Sequence, residues 1–95
     1  MAAYIIAQVS VNDPGAYETY KKLAQDAIAR HGGRYLVRGG ETTMLEGNKE
    51  PGRMVVLEFA SVEQAKSFYH SPEYSAARRA RDGIAKMDMI VVQGV

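Results

Sequence analysis

Two charged side chains stand out because each sits in apolar company: Glu58 within RMVVLEFA and Arg38 at the end of RYLVR. A carboxylate in a strand of Met, Val, Leu and Phe is costly to desolvate unless it is paired. Held in such a setting it is suited to moving protons, and a guanidinium beside it is suited to holding a carboxylate or enolate. Arg38 falls on what reads as the neighbouring strand and is the expected partner of Glu58. Three readings stay open: a structural ion pair, a glutamate at a solvated sheet edge, or a ligand-binding and proton-transferring pair.

Aromatic and basic residues in the last third of the chain extend this set. Tyr69 and Tyr74 flank the Ser71-Pro72 break, where a ring with a polar tip either packs in the core or lines a cavity mouth. His70 follows Phe68-Tyr69 at that break and reads as a capping or surface histidine, or as a ligand contact. Arg78-Arg79-Ala80-Arg81 is the one basic run. It suits a solvated C-terminal helix turn favoured by the dipole, unless Arg78 turns inward beside Tyr74 to anchor an anion. Tyr17 and Tyr20 read as core residues of the first helix.

Other chemistries find no support in the spacing. His31 and His70 have no metal-ligand spacing between them and no accompanying HExxH or acidic cluster, so no metal is expected. The glycines form neither GxGxxG nor a phosphate-binding loop, and GGRYLVRGG encloses a strand instead of opening a helix. The serines fall mostly at strand ends and helix caps and define no triad. No cysteine is present, which removes disulfide and thiolate chemistry and fits a reducing compartment. A net charge of +1 gives no general attraction to nucleic acid or to an anionic membrane. The apolar N-terminal run lacks a basic flank and is too short to span a bilayer, so a cytoplasmic location is expected.

The elements that would position these residues follow from periodicity. Residues 1–95 suit one small domain. Ala3–Val11 alternates as a strand and stops at Asn12-Asp13-Pro14, where Asp13 can cap a helix and Pro14 suits its first turn. Tyr17, Tyr20, Ala24, Ala27 and Ile28 then recur on one helical face up to His31, with Gly32 as the C-terminal cap. Arg34–Arg38 is the second strand; Gly39-Gly40 reads as a bend, after which Glu41–Glu46 is expected to continue the strand into a hairpin loop, Gly47–Gly52. Arg53–Ala60 is a strong third strand. Ser61 and Gln64 have capping-box spacing and open a helix that breaks at Ser71-Pro72 and resumes to about Ala80. Lys86–Gly94 is the last strand.

The order is βαββαβ, the ferredoxin-like α+β arrangement, with an antiparallel sheet and its helices on one face. Ile5, Val9, Val55, Leu57 and Phe59 are expected beneath the helices. Tyr4, Ile6, Gln8, Met54, Val56 and Glu58 then face the other way, and simple alternation adds Arg34, Leu36 and Arg38 to their side. Such an apolar face is larger than soluble monomers usually expose. A second copy laid against it, giving a homodimer, is the expected remedy.

The stretches GGRYLVRGG and GRMVVLEFASVEQAKSFYHSPEYSAARRAR, with a closing strand that ends in Gly, resemble the uncharacterised domain-of-unknown-function family 1330 over essentially the whole chain. The resemblance implies membership of the dimeric α+β barrel superfamily, whose ferredoxin-like subunits pair sheet to sheet. Superfamily relatives include cofactor-independent monooxygenases, muconolactone isomerases, haem-degrading enzymes and stress-responsive barrel proteins, with clefts between the sheet and helices of each subunit. By that analogy Arg38, Glu58, Tyr69, Tyr74 and Arg78 could reach such a cleft. Two functions follow as expectations. One is a cofactor-free enzyme on a small anionic or phenolic metabolite, with Glu58 as acid or base and Arg38 as anchor. The other is a non-catalytic homodimer that binds a small molecule or serves as a scaffold.

Overall fold

The computed structural model describes all residues, Met1–Val95. Its elements are β1 (Ala3–Val11), α1 (Pro14–Arg30), β2 (Arg34–Arg38), β3 (Arg53–Phe59), α2 (Val62–Tyr69), α3 (Pro72–Ala80) and β4 (Ala85–Gln93). The strands form one antiparallel sheet in the order β2-β3-β1-β4. This is the ferredoxin-like α+β fold, with the second helical segment in two pieces, as the Ser71-Pro72 break implies.

Each helix starts at the cap its sequence announces. Asp13 Oδ1 accepts from the amide of Ala16, and Ser61 Oγ from that of Gln64, both at 3.1 Å. Ser71 Oγ accepts from Tyr74 N at 3.1 Å and donates to Phe68 O at 2.7 Å, so one hydroxyl closes α2 and opens α3. Gln64 does more than complete a capping box. Its Oε1 accepts from Ala60 N at 3.3 Å, while its Nε2 donates to His31 O at 2.7 Å. The open carbonyl end of α1 is thus satisfied from α2. Gly32 sits there at φ +75°, and any side chain on it would strike the Gln64 amide.

The core lies between the helices and one sheet face. Ala3, Ile5, Ala7 and Val9 from β1 and Leu57 and Phe59 from β3 are buried against Tyr17, Tyr20, Ala24, Ala27 and Ile28 of α1. Phe68 and Tyr74 complete it from α2 and α3, their ring centroids 4.5 Å apart. The other face carries Ile6 between Val56 and Ile90, and Gln8 between Met54 and Asp88. No element covers that side, and Ile90 is 60% exposed.

The structure corrects two readings of the second strand. Tyr35 stands opposite Leu57, Val37 opposite Val56 and Arg38 opposite Val55, so Leu36 is an extra residue in a bulge. The bulge cancels simple alternation, and Arg38 turns to the helix side of the sheet with Tyr35 and Val55 instead of lying beside Glu58. The strand also does not resume over Glu41–Glu46. Beyond Gly39, whose amide donates to Met54 O at 2.8 Å, residues 40–52 form no regular structure. β3 begins only at Arg53, so residues past the bend have no strand to pair with.

Candidate functional site

The side chains that the sheet and helices converge upon are tyrosines. Tyr20 Oη and Tyr74 Oη are 2.8 Å apart in a buried hydrogen bond, with Met87 Sδ at 3.9 Å from Tyr20 Oη as a further weak acceptor. Tyr17 stacks on Tyr20 at 5.1 Å, and Tyr69 approaches Tyr74 at 5.7 Å. Burial pushes the Tyr17, Tyr20 and Tyr35 phenols up, because the phenolate loses its hydration. For Tyr20 the neighbouring Tyr74 adds to that rise. These hydroxyls stay protonated through the physiological range and are available as hydrogen-bond donors.

Arginines ring the cluster. The guanidinium of Arg38 lies 4.4 Å from the Tyr35 ring centre, that of Arg78 4.6 Å from Tyr69, and that of Arg81 5.6 Å from Tyr20. Arg38 also donates to Gln25 Oε1 at 3.0 Å. Arg53 opens β3, and its Nε is buried without a partner. The ion pairs of the chain are Lys21–Glu18, His31–Glu73 and Arg34–Glu58, so neither Arg38 nor Arg53 has a carboxylate within reach.

Between α1 and the sheet, Arg38, Arg53, Lys21, Tyr17, Tyr35 and Tyr74 border a narrow cleft whose floor includes Ile5 and Met89. Space for the centre of a water molecule inside it is about 30 Å³, enough for one or two waters. A wider hollow of about 230 Å³ opens between α2 and β4. Ile5 and Met89 reach its floor too, Tyr69 lines it, and Lys66 and His70 stand at its rim. The two hollows are therefore back to back, separated by the aromatic contact of Tyr69 with Tyr74.

The sequence-derived residues are distributed accordingly. Arg38 and Tyr74 meet in the narrow cleft, while Tyr69 and His70 border the wider hollow. Arg78 stacks on Tyr69 and borders a shallow polar surface with Ser75, Arg79 and Arg81. Glu58 is on the opposite face, one-quarter exposed, and accepts from Arg34 Nε at 2.6 Å. The expected Arg38–Glu58 pair is not formed, because the bulge at Leu36 parts the two residues onto different faces. Arg34, directly opposite Glu58 in the register, takes Arg38's place. Arg53, Tyr17, Tyr20 and Tyr35 were not singled out as site residues by sequence. The helical spacing of Tyr17 and Tyr20 gave only core positions. Arg53 looked like the first residue of a strand after a polar loop.

No helix is long and apolar enough to cross a membrane. No group of three or more His, Cys, Asp or Glu side chains is placed to hold a metal ion.

Comparison with known proteins agrees with the fold. A protein of unknown function from Rhodopseudomonas palustris superposes with a TM-score of 0.75 at 19% identity, over 99% of this chain and 82% of its own. SnoaB, a cofactor-independent oxygenase from Streptomyces nogalater, gives 0.68 at 11% identity, over 99% and 93%. A dimeric ferredoxin-like protein of unknown function from Jannaschia sp. CCS1 gives 0.67 at 12%, over 99% and 100%. A search of curated proteins found no match. The model of a domain of unknown function, DUF1330, matches residues 2–95, and the chain belongs to that family.

Proposed function

We propose that this member of the DUF1330 family is a homodimer, joined through the open sheet face, whose subunits each bind a small anionic or phenolic metabolite in the cleft between sheet and helices. The observation that carries this reading is the pair of guanidiniums, Arg38 and Arg53, that border a tyrosine-lined cleft with no carboxylate to neutralise them. A buried donor without an acceptor is costly, and an anionic ligand supplies the acceptor. The dimer is supported by the uncovered apolar face around Ile6, Val56 and Ile90 and by the dimeric ferredoxin-like protein that shares the fold.

Within this reading the protein is a cofactor-independent enzyme of monooxygenase or isomerase type. Arg38 and Arg53 hold the negative charge that develops on an enolate or phenolate, and the Tyr20–Tyr74 pair presents a hydroxyl to it. Of the acid or base role expected of Glu58, these groups supply only proton donation and charge stabilisation, since the Glu58 carboxylate is engaged by Arg34 on the other face. The oxygenase SnoaB, of like fold, supports this choice of reaction class. Tyr69, His70 and Arg78 would contact the ligand from the wider hollow or its margin.

One observation favours the second reading, a binding homodimer without turnover. Burial holds the Tyr17, Tyr20 and Tyr35 phenols protonated, and no carboxylate or histidine borders the cleft to take a proton from substrate. A crystal structure of the protein as purified tests both. Density between Arg38, Arg53 and Tyr74 would identify the ligand class; its conversion on standing in air, lost in Tyr74→Phe, would establish the enzyme. Bound ligand recovered unchanged would establish the binder. A ligand lodged elsewhere, with the cleft filled only by water, would refute the site.

A further inference from the structure

The cleft's cations differ in how they are held, and the difference defines what they fit. Gly39 follows Arg38 at φ +71°, and a Cβ on Gly39 would collide with the Arg53 guanidinium. The bend that ends β2 therefore leaves open the space that the Arg53 guanidinium occupies. Arg53 packs beside this backbone with its Nε buried and stands opposite Val9 in the sheet. Arg38, in contrast, is exposed, held by one hydrogen bond to Gln25 and by its stacking on Tyr35. One guanidinium is preset and the other is free to swing.

Resting on the binding site argued above, we propose that the ligand is a flat, unsaturated monocarboxylate of aryl or enoic type. Its carboxylate would be held between Arg53 and Arg38, and its apolar body would lie along Tyr35, Tyr74 and the Ile5–Met89 floor. Three features select that class. A guanidinium presents paired donors matched to the two oxygens of a carboxylate, and a preset one loses little freedom on binding. The walls are rings and aliphatic side chains, which admit a planar apolar body and offer few polar partners to a sugar or a polyol. The space as it stands holds only one or two waters, so a ring enters as Arg38 releases Gln25 and swings aside, after which its guanidinium meets the carboxylate.

Gly39 is then a positioning residue, acting on the ligand only through Arg53. Adding a methyl group there displaces the guanidinium without altering the charge of the site. Gln25 is a latch, and its removal frees Arg38 without touching the ligand.

The test uses the whole protein, isotope-labelled, titrated with benzoate and with benzamide, its neutral isostere, while backbone and tyrosine ring resonances are followed. Benzoate is expected to shift the resonances of Tyr35, Tyr74 and Gly39 and to bind at least tenfold more tightly than benzamide. Arg53→Gln should reduce benzoate to the benzamide level. Gly39→Ala should weaken benzoate while leaving benzamide unchanged, and Arg38→Gln, at an exposed position that does not endanger folding, should weaken it in the same way. Equal binding of benzoate and benzamide in the cleft would overturn the carboxylate class and leave the cleft site standing. Shifts confined to the wider hollow or to the open sheet face, or no shift with either probe, would overturn both.

Discussion

Removing the hydroxyl of Tyr20 or of Tyr74 should cost unequal amounts, and removing both should cost less than the sum. The two oxygens are 2.8 Å apart and buried, and each is the other's principal partner. Deleting one leaves a phenol group inside the core without its partner, a penalty of about 1–3 kcal/mol. Tyr20 retains Met87 Sδ at 3.9 Å as a weak acceptor, whereas Tyr74 Oη has no second side-chain partner. Tyr74→Phe therefore falls near the lower end, about 1 kcal/mol, and Tyr20→Phe nearer about 3 kcal/mol. The double variant removes both unsatisfied groups, and its total loss should be within about 1 kcal/mol of the parent, since matched removal of both partners is close to neutral. Urea unfolding at one fixed protein concentration gives the four free energies of the cycle, the fixed concentration being needed because a dimer's stability depends on it. In a domain of this size each kcal/mol also moves the melting midpoint by about 4–8 °C. A double variant that loses as much as the two singles together would refute the pairing, and with it the account of the cleft as holding a shared hydroxyl pair.

Other outcomes follow from the same geometry. Glu58→Gln should change stability by less than about 1 kcal/mol, as for a surface ion pair whose arginine is mostly solvated, and should leave benzoate binding unaltered; loss of binding in calorimetry would put Glu58 back in the site. Ile6→Glu places a charge between Val56 and Ile90 on the open face and should yield a monomer by light scattering, whereas an intact dimer would move the interface elsewhere. The hydrogen bond from His31 holds the Glu73 carboxyl below the ordinary carboxylate range. Being depressed in the folded state, that carboxyl contributes stability above its unfolded value, and the contribution is lost as pH falls through the lower folded value. The urea midpoint of the parent should therefore drop more steeply below about pH 4 than that of Glu73→Gln, and parallel acid limbs would contradict the linkage.

The helix starts and the order of elements could be read from the chain because each rests on local chemistry. Asp13, Ser61 and Ser71 cap where their oxygens reach amides three residues on, and period-two alternation in β1 and β3 marks the buried face. The site was less legible, for one reason repeated at several residues. Alternation assigns faces only while a strand has no inserted residue, and nothing in RYLVR marks Leu36 as one. That single residue moved Arg38 to the helix side while Arg34 stayed on the face of Glu58, so Glu58 kept Arg34 as its partner and the cleft gained Arg38. Arg53 was overlooked because its burial depends on Gly39, which is far from it in sequence and adjacent only after β2 and β3 pair. The Gly39-Gly40 bend was correctly placed, but its role in making room for a guanidinium depends on tertiary contact.

The sheet order also governs when the molecule can assemble during synthesis. β1 is an inner strand, and both of its neighbours, β3 and β4, are encoded downstream of α1 and β2. As the ribosome delivers the chain, β1 and α1 emerge with no strand for β1 to join, and the last carbonyls of α1 wait for Gln64 to appear. Non-local pairings of this kind delay folding and leave apolar strand edges open to other chains. The nascent half thus passes through an interval in which AYIIAQVSV has no strand to pair with, ending only when β3 is delivered. A codon change that slows decoding before β3 would lengthen that interval without altering the finished protein.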